Sequence, residues 1–324
     1  MRVGIDVSPL RQTRAGTARY LGGLLPRLEQ LVHVERLEWG GTGRLATVAR
    51  DAWWYPVALP RRAARVDVLH CPSFRGPLRS RVPLVVTVHD LAVLRHPDAF
   101  NRWTRTYSRA AVPRVVRAAQ RVIAVSEFTK REVVELLGIA AERIRVIPNA
   151  VAEPFVEQGA RAEGEYVLAV GTLEPRKNLS RLAEAARLAG VELRVAGAPG
   201  WGDFRANGEG VRVLGFVEDD ELACLYRGAR CVAYTSLYEG FGIPVLEALA
   251  CGAPVVTSAR TAMAEVAGGA AVLVDPHDAT AIADGIREAI ARRDELAVLG
   301  PERARAFTWD AVAEATADVY RELA

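Results

Sequence analysis

Two glutamates with seven residues between them lie where a buried strand gives way to a helix. Residues 231–236 are apolar and β-branched, as in a buried strand, and Pro244 favours a helix start because its missing N–H would have no partner there. Glu239 then falls in the connecting turn and Glu247 in the first helical turn. Carboxylate oxygens accept hydrogen bonds from hydroxyl groups. The pair therefore predicts a site for a polyhydroxylated ligand.

Glycines in the same turn indicate an anion site. Gly240 and Gly242 precede the helix N-terminus, where free backbone N–H groups and the helix dipole favour negative charge. Without side chains, these glycines let a ligand approach the backbone closely. A phosphate flanked by hydroxyl groups, as in a nucleotide sugar, suits this combination. A structural interpretation stays open, because the dipole favours acidic residues near a helix N-terminus in any protein.

A second strand, turn and helix start carries two adjacent cations. Arg176 and Lys177 follow the predicted strand at 166–171, and ligands of open α/β sheets bind at that end of the strands. Among 42 basic residues only Lys130 and Lys177 are lysine, so a Lys beside an Arg at this place is unusual for the chain. Arg binds phosphate bidentately and Lys adds a compact charge. Cations at a helix N-terminus oppose its dipole, so we expect an anion to offset them rather than solvent alone.

These motifs together resemble retaining glycosyltransferases of family 4, a group with many bacterial mannosyl- and glucosyltransferases. The resemblance rests on the Glu-x7-Glu segment and on the Gly-Thr-Leu-Glu-Pro-Arg-Lys-Asn segment at 171–178, and it is densest over 166–275. It implies an α/β protein of the GT-B fold, with two Rossmann-like domains whose parallel sheets face a central cleft.

Strands and helices alternate in both halves of the chain, which favours parallel sheets covered by helices. The pattern predicts strands at 2–7, 66–70, 83–88, 121–125, 144–147, 166–171, 192–197, 211–217, 231–236, 254–258 and 271–274. It predicts helices that include 17–32, 178–189, 218–228, 278–292 and a last one over 308–323. The resemblance implies an acceptor-binding domain at 1–155, a nucleotide-sugar-binding domain at 156–307, and a terminal helix at 308–324 that packs back on the first domain.

Charge divides the chain unevenly. Residues 1–155 hold 25 basic and 13 acidic residues, whereas residues 156–324 hold 17 and 26. The basic half is expected to attract anions, such as an acidic membrane surface or a phosphorylated acceptor, and it lacks a recognised nucleic-acid-binding module. Arginines recur over 100–121 at helical spacing, which fits either a membrane-surface helix or a solvated face, and Pro113 is expected to interrupt it.

Composition limits the location of the protein. No run of eighteen apolar residues occurs, and Asp6 interrupts the apolar start of the chain, so neither a membrane span nor a signal peptide is predicted. Four scattered cysteines without a Cys-x-x-Cys pattern fit free thiols. We therefore expect a cytoplasmic protein, with peripheral contact at the inner face of the membrane as a further hypothesis.

The first half has its own candidate residues. His89 follows the strand at 83–88, so it lies at the carboxyl end of that strand, and Gly16 lies in a loop before a helix. A lone His is usually structural, and so is a loop glycine. The resemblance implies that His89 contacts the transferred sugar near the reacting carbon and that Gly16 closes over the donor diphosphate. Helix capping explains Ser126, with a cleft-facing role as a secondary alternative, and the resemblance implies that Asn149 lies in an interdomain turn with a structural role.

The resemblance also implies roles in the second half. Arg176 and Lys177 neutralise the leaving diphosphate, Glu239 holds hydroxyls of the sugar, and Glu247 binds ribose hydroxyls. The remaining donor-binding positions are those of the two turns and of the segment expected to recognise the base, namely Gly171, Val217, Gly240, Phe241 and Gly242.

The predicted reaction is transfer of a hexose to a glycan or lipid-linked acceptor in cell-surface polysaccharide or glycolipid synthesis. Mannose from GDP-mannose is favoured, and glucose from a UDP-sugar comes next. No Asp-x-Asp pair follows a strand, so neither a metal nor any other cofactor is expected besides the donor. A nucleotide-sugar epimerase or hydrolase of the same fold, and a non-catalytic nucleotide-sugar-binding protein, remain alternatives.

Overall fold

The computed structural model describes residues 1–12, 16–41, 43–97, 100, 102–200 and 210–324. The chain forms two compact units, the first of residues 1–149 with 309–324 and the second of residues 150–308. The unit boundary thus follows Asn149, whereas the sequence placed it after residue 155. Residues 150–155 belong with the second unit.

The first unit contains a six-stranded parallel sheet in the order β2-β1-β3-β4-β5-β6. Its strands are β1 Arg2–Asp6, β2 His33–Leu37, β3 Val68–Cys71, β4 Leu84–Val88, β5 Arg121–Ala124 and β6 Ile144–Val146. Strand β2 was not predicted from the sequence; it lies at the sheet edge and is only partly buried. An edge strand with solvent on one side needs few apolar residues, so it lacks the apolar run of its neighbours.

The helices of the first unit are α1 Pro9–Gln12, α2 Gly16–Leu31, α3 Arg44–Ala49, α4 Leu59–Arg62, α5 Ala92–Arg95, α6 Arg102–Ala118, α7 Glu127–Leu137 and α14 Trp309–Arg321. A π-helical segment covers Arg50–Ala58. Helix α6 runs through Pro113 without a break, so the expected interruption was wrong. Ser126 caps α7 as expected, since its hydroxyl accepts a hydrogen bond of 3.0 Å from the Thr129 N–H.

The terminal helix α14 is part of the core of the first unit. Gly23 on α2 makes room for the indole of Trp309, the first residue of α14, because a Cβ at Gly23 would lie 2.0 Å from Trp309 Cε2. The fully buried His70 on β3 is held on both sides, by Tyr320 Oη at 2.6 Å from Nδ1 and by Thr87 Oγ1 at 2.8 Å from Nε2. The polar and apolar contacts together fix α14 on this unit.

The second unit contains a six-stranded parallel sheet in the order β12-β11-β10-β7-β8-β9. Its strands are β7 Tyr166–Val170, β8 Glu192–Ala196, β9 Val211–Gly215, β10 Cys231–Tyr234, β11 Val255–Ser258 and β12 Val272–Val274. Its helices are α8 Leu179–Ala189, α9 Asp219–Gly228, α10 Ile243–Ala250, α11 Ala262–Ala267, α12 Ala279–Ala291 and α13 Arg293–Ala304. Among the described residues no helix combines the length and apolar character that crossing a bilayer needs.

The buried His70 predicts a pH-dependent stability of the first unit. Burial, and then the nearby His89, lower the pKa of His70 from 6.5 to about 3. Because the unfolded chain binds the proton more readily, stability is full above pH 6.5 and is lost as the pH falls. Linkage gives a loss of about 1.5 kcal/mol between pH 6.5 and pH 5 from this histidine. Urea unfolding followed by tryptophan fluorescence should show it, since five of the six tryptophans belong to the first unit.

The exposed His33 supplies the control for this measurement. His33→Gln should keep the full pH dependence, whereas His70→Gln should reduce it and lower stability at pH 7. An unchanged pH dependence in the His70→Gln variant would show that His70 does not cause the loss of stability at low pH.

Candidate functional site

The turn after β7 is fixed to two neighbouring loops by Asn178. This residue is buried and left-handed, with φ 60°, and asparagine tolerates that conformation better than most residues. Its side-chain amide donates to Thr235 O at 3.1 Å and to Pro276 O at 2.7 Å. Leu237 N also donates to Arg176 O at 2.9 Å. The turn that carries Arg176 is thereby held against the loop that follows β10.

Glycines let the turns after β7 and β8 pack backbone against backbone. Gly171 has φ 138°, a region that side chains rarely adopt. A Cβ at Gly197 would lie 1.9 Å from Gly171 O, and one at Gly200 would lie 2.4 Å from Leu173 O. The Gly-Ala-Pro-Gly segment at 197–200 does not match a dinucleotide-binding fingerprint. In the structure it supports the turn that leads to the two cations.

The Glu239 carboxylate lies between the two cations predicted from the sequence. Lys177 Nζ is 2.7 Å from Glu239 Oε1, and Arg176 Nη1 is 2.9 Å from Glu239 Oε2. Arg176 also pairs with Glu174 and donates to Tyr238 O at 2.7 Å. The motifs at 171–178 and 231–254 are separate segments of the sequence. In the structure they meet in one ionic network.

Two hydroxyl groups that the sequence analysis missed complete the surroundings of Glu239. Ser236 Oγ donates to Glu239 Oε1 at 2.6 Å, and Tyr234 Oη lies 3.0 Å from the same oxygen and 2.6 Å from Lys177 Nζ. Burial alone would raise the pKa of Glu239, but Lys177, Arg176 and Ser236 together lower it to about 2. The carboxylate therefore stays charged at any ordinary pH. Tyr234 ends β10 and Ser236 lies two residues further on. Their place at the carboxyl end of a strand could have identified them as candidate site residues from the sequence.

The loop enters α10 through Gly242, which is left-handed with φ 102°. A Cβ there would lie 3.1 Å from Met263 Cγ, so both conformation and space favour glycine. Gly240 and Phe241 are buried, and the Phe241 ring contacts the Phe307 ring edge-on at 6.0 Å between centroids. The aromatic contact holds the loop from behind, so the backbone around Gly242 is fixed.

Glu247 is the fifth residue of α10, so it begins the second helical turn rather than lying in the first. It is 3% exposed, and Tyr226 Oη donates to its Oε2 at 3.0 Å. Tyr226 lies on α9, in a stretch that reads as an ordinary amphipathic helix. Sequence patterns do not reveal this contact, because it depends on how α9 and α10 pack against each other. Val217, the expected base-recognition position, is half-buried after β9.

The remaining candidates belong to the first unit. His89 follows β4, is half-buried, and its Nε2 lies 3.0 Å from Pro72 O. Its ring contacts Tyr20 edge-on at 5.0 Å, and burial lowers its pKa. Gly16 is exposed at the start of α2, with open space around it. Residues 13–15 of the preceding loop lie outside the described residues.

Arg176, Lys177 and Glu239 form one cluster at the carboxyl ends of β7 and β10, where ligands of open α/β sheets bind. Two parallel-sheet units of this kind make up the GT-B fold, which the chain shares with solved structures of that architecture. Residues 152–305 match the family of group 1 glycosyl transferases, and residues 17–153 match glycosyltransferase family 4. The chain therefore belongs to the family 4 glycosyltransferases and is an enzyme that transfers hexoses.

Relatives and solved structures agree with this assignment. The O-antigen chain mannosyltransferase B of Escherichia coli is 32% identical over 303 residues, which cover 83% of this chain and 79% of the relative. Sucrose-phosphate synthase from Thermosynechococcus elongatus superposes with a TM-score of 0.78 at 20% identity, over 100% of this chain and 99% of the other. Anabaena HepE in complex with UDP-glucose superposes with a TM-score of 0.72 at 21% sequence identity, over 99% of each chain. At these identities the two structures show a shared fold.

The ion pairs of Glu239 predict an unusual response to mutation. A phosphate that approaches Arg176 and Lys177 must compete with the Glu239 carboxylate, so Glu239→Gln should strengthen pyrophosphate binding by about tenfold, from the removal of one nearby negative charge. Calorimetric titration with pyrophosphate checks this. Glu192→Gln is the control, since Glu192 pairs with Arg194 at 2.9 Å in a more exposed place of the same unit. Equal or weaker binding by Glu239→Gln would show that the carboxylate does not compete.

Proposed function

We propose that this enzyme is a retaining transferase that moves a hexose, mannose in first place, from a nucleotide-diphosphate sugar to a glycan or lipid-linked acceptor. The observation that carries the proposal is the network in which Arg176 and Lys177 meet the Glu239 carboxylate. It combines a pair of cations with hydroxyl-binding oxygens within a few ångströms. A sugar diphosphate presents the matching groups in the same order, phosphates followed by sugar hydroxyls.

Binding of the donor exchanges partners within this network. The diphosphate oxygens take over Arg176 and Lys177, and the released Glu239 carboxylate then accepts hydrogen bonds from hydroxyls of the sugar. Ser236 and Tyr234 keep one carboxylate oxygen in place during the exchange. The site is already charged and oriented before the donor arrives, so little reorganisation accompanies the reaction, which is how electrostatic stabilisation is most effective.

The reaction breaks the bond between the anomeric carbon and the diphosphate oxygen and forms a bond from the acceptor oxygen to the same carbon. Retention follows from attack on the face that the diphosphate leaves, and the acceptor proton passes to the departing phosphate oxygen. Arg176 and Lys177 stabilise the negative charge that develops there. His89 supports the positive charge at the sugar, with its ring anchored on Pro72 O.

The donor nucleotide is held by the buried Glu247, whose carboxylate binds the ribose hydroxyls. Tyr226 orients that carboxylate through its hydrogen bond of 3.0 Å. Gly171, Gly240, Phe241 and Gly242 let the donor approach the backbone of the two turns, Gly16 covers the diphosphate, and Val217 lies against the base. The reaction needs no metal, because the two cations neutralise the diphosphate.

Mannose is favoured because the O-antigen chain mannosyltransferase B of Escherichia coli is 32% identical to this chain, and the match covers 79% of that relative. This relationship also supports synthesis of cell-surface polysaccharide as the setting. A glucosyl donor is the second candidate, since the structurally similar HepE was solved with UDP-glucose. The behaviour of the donor without acceptor distinguishes a transferase from an epimerase or hydrolase of the same fold and from a non-catalytic binding protein.

A panel of GDP- and UDP-hexoses tests the proposal. The purified protein, with EDTA present and without acceptor, should bind one donor selectively and hydrolyse it only slowly. Addition of a glycan acceptor should then raise turnover, and nuclear magnetic resonance should show the donor's anomeric configuration in the product. Fast turnover without acceptor would favour the epimerase or hydrolase, dependence on Mg²⁺ or Mn²⁺ would contradict the metal-free reaction, and an inverted product would exclude retention.

Lys177→Ala serves as the matched variant in the same assay. It should lower turnover by orders of magnitude, since one electrostatic contact to the transition state contributes about 10²–10³-fold. Lys130→Ala, which removes the other lysine of the chain in the first unit, should not. Near-normal turnover by Lys177→Ala, with the fold intact by circular dichroism, would remove Lys177 from the site.

We also propose that the first unit contacts anionic membranes through the outer face of α6. Arg102, Trp103, Arg109, Arg114 and Arg117 are exposed along this helix, while its other face is buried in the unit. A row of exposed arginines with a tryptophan is the pattern of helices that lie on anionic lipid.

Vesicle sedimentation distinguishes this proposal from an ordinary solvated helix. Vesicles of phosphatidylglycerol should retain the protein and phosphatidylcholine vesicles should not. Arg109→Glu with Arg114→Glu should reduce binding by tenfold or more, given about 1 kcal/mol for each arginine near the surface. Arg305→Glu, at an exposed position of the second unit, is the control. Equal retention on both lipids, or no retention, would show that the face is merely solvated.

A further inference from the structure

A second polar cluster lies in the first unit, apart from the residues assigned above. Asp51 accepts from Arg75 Nη1 at 2.7 Å and from Arg50 Nε at 3.1 Å, both at its Oδ1. Arg50 also donates to Gln12 Oε1. The Arg75 guanidinium lies over the Tyr107 ring, 5.2 Å from its centroid. We call these five residues the Asp51 cluster.

The Asp51 cluster is assembled from four separate parts of the chain. Gln12 ends α1, the short helix after β1, and Arg75 lies in the loop after β3. Arg50 and Asp51 begin the π-helical segment, a rare form that is frequent at functional sites, and Tyr107 lies on α6. Asp51 itself pairs with the two arginines, and Gln12 and Tyr107 in turn contact those arginines, so four parts of the chain are linked through one carboxylate.

The cluster lies along the same sheet edge as His89. β1, β3 and β4 are neighbours in the sheet, and Gln12, Arg75 and His89 follow their carboxyl ends. The loop at 72–76 connects the two places, because Pro72 O contacts His89 Nε2 at 3.0 Å and Arg75 lies three residues further on. In open α/β sheets this edge is where ligands bind.

Two buried polar atoms of the cluster lack a partner in the described part of the chain. They are Asp51 Oδ2, an acceptor, and Gln12 Nε2, a donor. The Asp51 side chain is only 2% exposed, so an unpaired oxygen there is costly. A buried group that is left unpaired in a native protein calls for an explanation, and a bound ligand is one of them.

The chemistry of the two unpaired atoms selects the ligand. A hydroxyl group both donates and accepts, so hydroxyl groups can satisfy Asp51 Oδ2 and Gln12 Nε2 at once. A phosphate or carboxylate could pair with the arginines but would bring negative charge against Asp51 Oδ2, which only accepts. The half-exposed Trp103, which stacks on the Tyr107 ring with 6.3 Å between centroids, offers an apolar face of the kind that a sugar ring needs.

We propose that the Asp51 cluster binds a neutral sugar residue of the acceptor, through hydroxyl groups that donate to Asp51 and accept from Gln12. This inference rests on the proposed transfer to a glycan acceptor. The residue that it binds lies on the acceptor side of the reaction, because the cluster shares the sheet edge of His89 and belongs to the unit that lacks the cationic donor site.

Saturation-transfer magnetic resonance on the full chain tests the proposal with two neutral probes, methyl α-D-mannopyranoside and methyl α-D-glucopyranoside. The wild-type protein should bind at least one of them, and inorganic phosphate should not displace it. Asp51→Asn should weaken that binding at least tenfold, and Gln12→Glu, which keeps the acceptor for Arg50 but removes the amide donor, by at least about threefold, as expected for one hydrogen bond. Both variants should bind the nucleotide-sugar donor as the wild type does.

Glu132→Gln is the matched control, since Glu132 is a buried carboxylate paired with Arg95 in the same unit. It should leave binding of the hexosides unchanged. If Asp51→Asn does not fold, Gln12→Glu alone decides. No binding of either hexoside by the wild type, displacement by phosphate, or full binding by both variants would overturn the proposal. If the wild-type protein does not bind the nucleotide-sugar donor, the proposed function itself would be contradicted.

Discussion

The contact on which the candidate site depends is the Glu239 carboxylate between Arg176 and Lys177. It joins two strand-to-helix turns of the second unit, so neither turn is positioned by its own sequence alone. Such buried pairs contribute little net stability, because removing two charges from water costs about as much as their attraction returns. Their effect is on geometry and charge. With its pKa lowered to about 2, Glu239 remains an anion, and both cations remain oriented toward the place where phosphate is proposed to bind.

The ionic network needs a rigid frame, and the backbone supplies it. The turn that carries the cations has Gly171 at its start and the left-handed Asn178 at its end. Behind it, Gly197 touches the Gly171 carbonyl so closely that any side chain would displace the turn. Sub-ångström placement of catalytic groups is achieved in this way when the supporting shell is packed as tightly as the site itself. The glycines are therefore as much a part of the site as the charged residues.

Much of this could be predicted from the sequence, and the omissions have physical reasons. Apolar runs identify buried strands, so the central strands were predicted, while the polar edge strand β2 was missed. Motif spacing placed Glu239 and Lys177, but not the hydroxyls of Ser236 and Tyr234 that hold them. The role of Tyr226 could not be predicted from the sequence, because its contact with Glu247 depends on how two helices pack. The course of α6 through Pro113 was predicted wrongly, since tertiary packing can outweigh local propensity.

The charges of the two units show why local arrangement matters more than net charge at the proposed donor site. The second unit holds 16 basic and 23 acidic residues, yet it contains the cationic pair, whereas the first unit holds 26 and 16. A net negative unit repels a diphosphate at long range, although salt screens this repulsion beyond about 8 Å. Affinity at that site must then come from two fixed cations at contact distance. The basic first unit has the charge to attract anions from further away, and under the proposed function the two units would divide donor binding and attraction to anionic surfaces between them.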